Sequence, residues 1–319
     1  MFFSAAVAII PLAGIMARAT DELAKILGPY WGGLVNVSLG NATELIISIF
    51  ALRAGLPAVV KAAITGSILS NILLVLGFSF LAVGLKNEKQ EFDRDLATNN
   101  GTLLLLATIS LFVPAIFYTT TPRIKEEVLG MLSTGVALVL FAVYIFNIYF
   151  LWLERREIKR DRGVGKEEWP LYKSLGLLLL VTVLIAWQSE ILVSTLEGVE
   201  EKLGLSRLFI GVIIVPLIAN AAENTTAVIM ASRGNLELGL TIAIGSSTQV
   251  ALFLVPLLIF VSRILGEPLN LLFNVQQVSA LFAAVLIANL VYIQGRAHWM
   301  EGLQLIAAYL ILALAFFFT

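Results

Sequence analysis

Four polar side chains, Asn41, Glu44, Asn220 and Glu223, stand inside apolar runs: "VSLGNATELIIS" over residues 37 to 48 and "IANAAENTTAV" over 218 to 228. In each pair the asparagine and the glutamate are three residues apart, so on a helix they share one face and address one ligand. A carboxylate at the centre of a bilayer costs roughly 2.5–3.5 kcal/mol even on the gentlest scale, which makes it a functional hypothesis by default. Neither run contains a lysine or arginine to neutralise it. For Thr43, Ser67, Thr225 and Ser246, holding helices together is as good a reading as lining a site, because interhelical polar pairs contribute about 0.6 kcal/mol on average. It is a poor account of the two glutamates.

The chemistry open to these residues is oxygen chemistry. Cysteine is absent and His298, in the loop "GRAHWMEG", is the one histidine, which removes thiolate and zinc sites and thiol nucleophiles together. No serine inside a span has a base within reach, so the chain is not read as an enzyme and no cofactor is expected. Asn41, Glu44, Asn220 and Glu223, joined by backbone carbonyls, make an all-oxygen set suited to a hard cation. Ca²⁺ tolerates six to eight irregular oxygen ligands, whereas Mg²⁺ demands a tight octahedron, so calcium is the first choice, with manganese and sodium open. Two carboxylates brought together without a cation repel, and burial disfavours their charged forms, so protons and the metal compete for one site. Expelling Ca²⁺ up a 10⁴-fold gradient costs about 5.5 kcal/mol, plus about 4.6 for two charges against 100 mV. Each proton entering yields about 2.3 kcal/mol from the voltage and about 1.4 per pH unit. Two protons then support a gradient on the order of 10² and three suffice for 10⁴, which leaves the stoichiometry open.

The elements that must position these residues are membrane helices. Of the 319 residues, 59% are hydrophobic and 13% charged, against roughly 45–50% and 25% in a soluble domain. The net charge of -1 gives no electrostatic footprint for nucleic acid. Apolar windows long enough to cross a bilayer fall at 2-17, 31-52, 58-85, 101-118 and 130-153, then at 171-193, 206-230, 236-262, 274-293 and 301-318. The first window lacks the basic flank of a signal peptide and is read as a span. The fold class expected is therefore an all-α membrane protein of about ten transmembrane helices: a five-helix unit over 1-153, a connecting segment over 154-170 and a second five-helix unit over 171-319. Fourteen lysines and arginines lie in the loops after the odd-numbered spans and seven elsewhere, which places the connecting segment in the cytoplasm and both ends of this chain outside. An odd number of crossings per unit starts the second unit from the opposite side, so homologous units are inverted repeats.

Self-similarity supports that homology. A shift of 179 residues superposes Asp21-Glu22 on Glu200-Glu201, Gly32 on Gly211, Asn41-Ala42 on Asn220-Ala221, Glu44 on Glu223 and Gly66-Ser67 on Gly245-Ser246, without a gap. A side-chain amide follows each Gly-Ser step, Asn71 in "TGSILSN" and Gln249 in "IGSSTQ". The Gly-Ser steps read as helix breaks whose carbonyls point into a cavity at membrane depth, lined by Thr43, Gly66, Ser67, Asn71, Gly245, Ser246 and Gln249. Pro216, four residues before Asn220, is the proline most closely tied to a motif. Two inverted halves that each bring a polar broken helix to the midplane are the architecture of a secondary transporter.

Taken in order, "LGNATELI", "GSILSNILLVLG", "ANAAENTTAV" and "GSSTQVALF" resemble the calcium/proton exchanger family of the calcium/cation antiporter superfamily, over essentially the whole chain. The resemblance implies alternating access in the lipid bilayer, with Glu44 and Glu223 carrying Ca²⁺ and H⁺, Asn41 and Asn220 as supporting ligands, and the Gly-Ser helices with Gln249 completing the cavity. It implies export of cytosolic Ca²⁺ across a plasma (inner) membrane or a vacuolar-type one, a sodium-driven exchanger of the same architecture being the alternative. Three features depart from the family pattern. Ala219 and Asn224 stand where the second motif usually has glycine and histidine, the family usually carries one more helix before the first span, and its link between halves is often strongly acidic where this one is mixed.

Overall fold

The computed structural model describes residues 1–85, 90–120, 125–158 and 169–319. Twelve helices follow one another among these residues. The first half holds α1 (Phe2–Leu39), α2 (Ala42–Arg53), α3 (Pro57–Gly84), α4 (Arg94–Thr120) and α5 (Glu126–Ile158). The second holds α6 (Leu171–Ser194), α7 (Leu196–Leu203), α8 (Arg207–Ala219), α9 (Ala221–Ser232), α10 (Leu236–Ile264), α11 (Val275–Gln294) and α12 (Trp299–Phe317). The one sheet among the described residues pairs β1 (Gln90–Glu91) with β2 (Arg296–Ala297), antiparallel.

Most of these helices are apolar all round, as helices facing lipid on one side and protein on the other must be. Eight of the described helical segments are long and apolar enough to span a membrane, and α8 with α9, bent by 62°, makes a ninth if the pair is one span. Two of the ten expected windows therefore differ from a simple helix. Window 206-230 is the pair α8 and α9, interrupted at Asn220. Window 31-52 is split between the end of α1 and the whole of α2, interrupted at Gly40 and Asn41. The first window is longer than expected, Phe2–Gly28. It ends where Gly28 adopts φ 77° and ψ 180°, a conformation that costs a residue with a Cβ dearly. Residues 159–168 of the expected 154-170 connection lie outside the described residues.

Contacts sort the loops into two faces. On one, Lys61 at the start of α3 donates to Asn270 Oδ1 at 2.6 Å and to the Leu272 carbonyl at 2.8 Å, and Arg263 at the end of α10 donates to the Gly130 carbonyl near the start of α5 at 2.7 Å. On the other, β1 meets β2, Gln90 donates to the Gly234 carbonyl at 3.0 Å, and the Trp169 amide donates to Glu22 Oε2 at 3.2 Å. Trp169, at the described end of the connecting segment, lies on this second face, called here the connection face; the turn after α2 belongs to the first, the opposite face. The innermost helices are α3 and α10, with 78% and 67% of their apolar windows buried against 22% for α12. These two carry the Gly-Ser steps, so the motif serines sit in the most enclosed part of the bundle.

Candidate functional site

Helix interruption places the motif residues, and it falls at the asparagines. Asn41 (φ −96°, ψ 24°) and Asn220 (φ −99°, ψ 8°) leave the helical region in nearly the same way, each just before a new helix. The expected breaks at Gly66-Ser67 and Gly245-Ser246 do not occur. α3 and α10 run straight through both steps and instead wind as π-helix just beyond them, at Ser70–Val75 and Val250–Leu254. π-Turns inside α-helices cluster at functional sites. An asparagine adopts this negative-φ, non-helical backbone without needing glycine, and its amide, which caps neither helix, is free to bond elsewhere.

Neither asparagine side chain caps its own helix; each reaches into the opposite half. Asn220 Nδ2 donates to Glu44 Oε1 at 2.7 Å and to Ser67 Oγ at 3.2 Å. Ser67 Oγ donates to the same Glu44 oxygen. Asn41 Nδ2 also donates across the halves, but to the amide of Gln249, Oε1, at 3.1 Å. Ser246 Oγ lies 2.9 Å from Glu223 Oε2 and 3.3 Å from Asn41 Oδ1, and its single proton serves one acceptor at a time. Each glutamate thus takes a serine from its own half and meets the asparagine region of the other; a Cβ on Gly40 would stand 3.6 Å from Glu223 Oε1. Both glutamates occupy the first turn of a short helix, where the positive end of the helix dipole favours a carboxylate.

Of the expected site residues, seven converge: Asn41, Glu44, Ser67, Asn220, Glu223, Ser246 and Gln249. Thr43 turns to α1, its hydroxyl 3.8 Å from Met16 Sδ. Asn71 is buried, 1% exposed, with Nδ2 unpartnered and no bond to this network. Gly66 is a helix contact rather than a cavity wall. A Cβ there would overlap the Val212 carbonyl and stand 2.6 Å from Pro216 Cγ. Pro216 supplies no N–H to the carbonyl four residues back, that of Val212, and residues 210–214 wind as π-helix beside it. Gly245 is the reverse case, since a Cβ there meets open space.

Sequence reasoning passed over Ser48. It lines a small cavity together with Glu44 and Ser67, among apolar side chains that include Ile64, Val215 and Leu254. Its distance of four residues from Glu44 was the available signal. Glu44 Oε2 is buried and has no hydrogen-bond partner. Among the described residues no three His, Cys, Asp or Glu side chains converge, so a cation placed here would have to draw on amide, hydroxyl and backbone oxygens beside the two carboxylates, the kind of donor set Ca²⁺ accepts.

Half-helices whose broken ends meet inside an apolar bundle are the construction of secondary transporters, and the whole is a multi-span membrane protein. The chain belongs to the sodium/calcium exchanger protein family, whose profile matches residues 1–153 and 173–318. It is 43% identical over 335 residues to a Ca²⁺/H⁺ antiporter of Aphanothece halophytica, covering 100% of this chain and 90% of that one. It is 37% identical over 318 residues to a vacuolar calcium ion transporter of Schizosaccharomyces pombe strain 972, covering 98% and 77%. Its structure is similar to that of native YfkE, with a TM-score of 0.86, 38% identity, and coverage of 100% of this chain and 92% of the other.

Proposed function

We propose that this chain is a secondary active antiporter that exports cytosolic Ca²⁺ in exchange for H⁺ by alternating access. The observation that carries the reading is the crossed pairing of the two half-sites, in which Asn220 of one half binds Glu44 of the other at 2.7 Å. A relative sharing 43% of its residues across the full chain is a Ca²⁺/H⁺ antiporter, which supports protons over sodium as the driving ion. Glu44 and Glu223 carry calcium and protons in turn, Asn41 and Asn220 support the metal, and Ser67, Ser246 and Gln249 complete its surroundings. Metal and protons are substrates, and no resident cofactor is invoked.

The architecture proposed is two inverted five-helix repeats, 1-153 and 171-319, with the broken pairs at Asn41 and Asn220 each counted as one crossing, which brings the total to ten. The connecting segment 154-170 lies in the cytosol, so the connection face is the cytosolic face. The membrane is the plasma (inner) membrane or a vacuolar-type membrane, as the vacuolar relative suggests. The test is transport by the full chain in sealed vesicles. An imposed pH gradient drives uptake of radiolabelled calcium without sodium; uptake that requires a sodium gradient hands the assignment to a sodium-driven exchanger of the same build.

A further inference from the structure

The chain between α10 and α11, residues 265–274, reads "LGEPLNLLFN". Gly266, at φ 80°, and Pro268 stop the helix. Leu269, Leu271 and Phe273 then alternate inward, at 3%, 1% and 3% exposure. A connection that ran over the surface would leave its backbone to water, but here the backbone bonds to three helices. The Leu269 amide donates to Ser262 Oγ on α10 at 2.9 Å, and the Leu271 amide to Ser133 Oγ on α5 at 3.0 Å. The Leu272 carbonyl accepts from Lys61 Nζ on α3 at 2.8 Å. Asn270 Oδ1 accepts from the same ammonium at 2.6 Å and from the Leu272 amide at 3.1 Å.

These anchors lie at different depths. Ser67 and Ser246 mark the level of the site on α3 and α10. Lys61 precedes Ser67 by six residues, about 9 Å along a helix, whereas Ser262 follows Ser246 by sixteen, about 24 Å. The chain therefore folds back from the outer end of α10 into the bundle before α11 begins, and Lys61 holds its inner end. Among the described residues no carboxylate pairs with Lys61, so its charge strengthens bonds to two neutral acceptors instead of closing an ion pair. The shift of 179 residues pairs Lys61 with Leu240 and Ser262 with Val83, so neither anchor is repeated on the connection face.

We infer that residues 265–274 are a strap that closes the opposite face, with Lys61 as its latch, and that release of Lys61 opens the site to that face. While the strap is held, Lys61 and Ser133 of the first half are tied to the second, and α3 and α5 cannot part from α10 there. Release exchanges charge-assisted hydrogen bonds for bonds to water, a small net change that makes the step reversible. Lys61 touches neither transported ion; it is a positioning residue.

The inference rests on the alternating access proposed above, and its test reads shape instead of flux. In this cysteine-free chain, Ser48→Cys puts a thiol on the cavity beside Glu44, at a position 4% exposed. Oriented vesicles holding that full-length variant receive a membrane-impermeant thiol reagent on the opposite face, and labelling is slow. Adding Lys61→Met raises the labelling rate about tenfold, the scale of one lost hydrogen bond to a charged group. Adding Asn270→Asp, which keeps both bonds that Oδ1 accepts and sets a negative charge against the ammonium, lowers the rate instead. Neither change raises labelling of Gly245→Cys from the connection face. Labelling of Ser48→Cys that Lys61→Met leaves unchanged or Asn270→Asp fails to slow, or faster labelling of both reporters in Lys61→Met, overturns the strap and leaves the exchange of calcium for protons standing. Wild-type vesicles in which no pH gradient moves calcium overturn that exchange, and the labelling then decides the strap by itself.

Discussion

Around Glu44 the whole motif, Asn41 to Glu44, is buried, and the neighbouring face of α3 is shut at Ala62, Gly66 and Ser70. Around Glu223 the matching Ala221, Ala222 and Glu223 are partly exposed, and α10 opens at Thr241, Gly245 and Gln249, residues four apart that lead from the connection face to the site. Both halves use the same residue types and both glutamates accept a serine hydroxyl. The difference lies in how closely the surrounding helices approach. Gly66 is pressed onto the Val212 backbone, while the Cβ position of Gly245 faces open space. The partly exposed positions on α10 thus run from the connection face towards Glu223, and Glu44 is the more enclosed member of the pair.

The largest effect expected breaks the pair itself. Glu44→Gln and Glu223→Gln each abolish vesicle exchange while the purified proteins keep their wild-type elution and helix content; normal flux in either variant removes that glutamate from the mechanism. Next comes the contrast between glycines. Gly66→Ala drives a Cβ into backbone and lies at or beyond the upper end of the roughly 1–3 kcal/mol of overpacking, whereas Gly245→Ala changes stability by less than about 1 kcal/mol. Thermal unfolding in detergent measures both, and similar melting of the two variants contradicts the assigned asymmetry.

Asparagine substitutions sharpen the comparison further. Asn220→Ala removes a hydrogen bond to a carboxylate, worth about 1.5–3 kcal/mol, while Asn41→Ala removes bonds to neutral Gln249 and Ser246, worth about 0.5–1.5. Calcium binding is expected to weaken more in the first variant than in the second; the reverse order means that these bonds do not govern the site. The smallest perturbation is chemical labelling, for which the absence of cysteine supplies a clean background. Gly245→Cys reacts with a water-soluble thiol reagent from the connection face and Ile47→Cys, buried at 3% exposure, does not. Equal reactivity means that this structure does not represent the resting state.

Much of this was legible in the residues. The N-x-x-E pairs, the shift of 179 residues that superposes them, and the apolar windows carry strong local signals, because a carboxylate in an apolar run is costly to keep unless it binds an ion or a proton. The location of the breaks was not legible. Glycine next to serine in an apolar run suggests flexibility, yet Gly66 is used for close approach to Val212 and Pro216 of the other half, a contact that only the fold reveals. Asn71 and Gln249 look alike as amides following a Gly-Ser step, but the same shift pairs Gln249 with Ser70 and Asn71 with Val250. Only Gln249 joins the network, which is why one amide bonds across the halves and the other stays apart. Thr43 is adjacent to Glu44 in sequence and therefore points elsewhere on the helix, to Met16.

The central claim is that one carboxylate from each half forms a site that metal and protons occupy in turn. Calcium titration of the purified protein in calorimetry buffers of different ionisation enthalpy tests it most directly, since it counts protons released per ion bound. The account predicts proton release on calcium binding, tighter binding as pH rises, and loss of both in the Glu44→Gln, Glu223→Gln double variant. Calcium binding without proton release, or binding undiminished in the double variant, would contradict it.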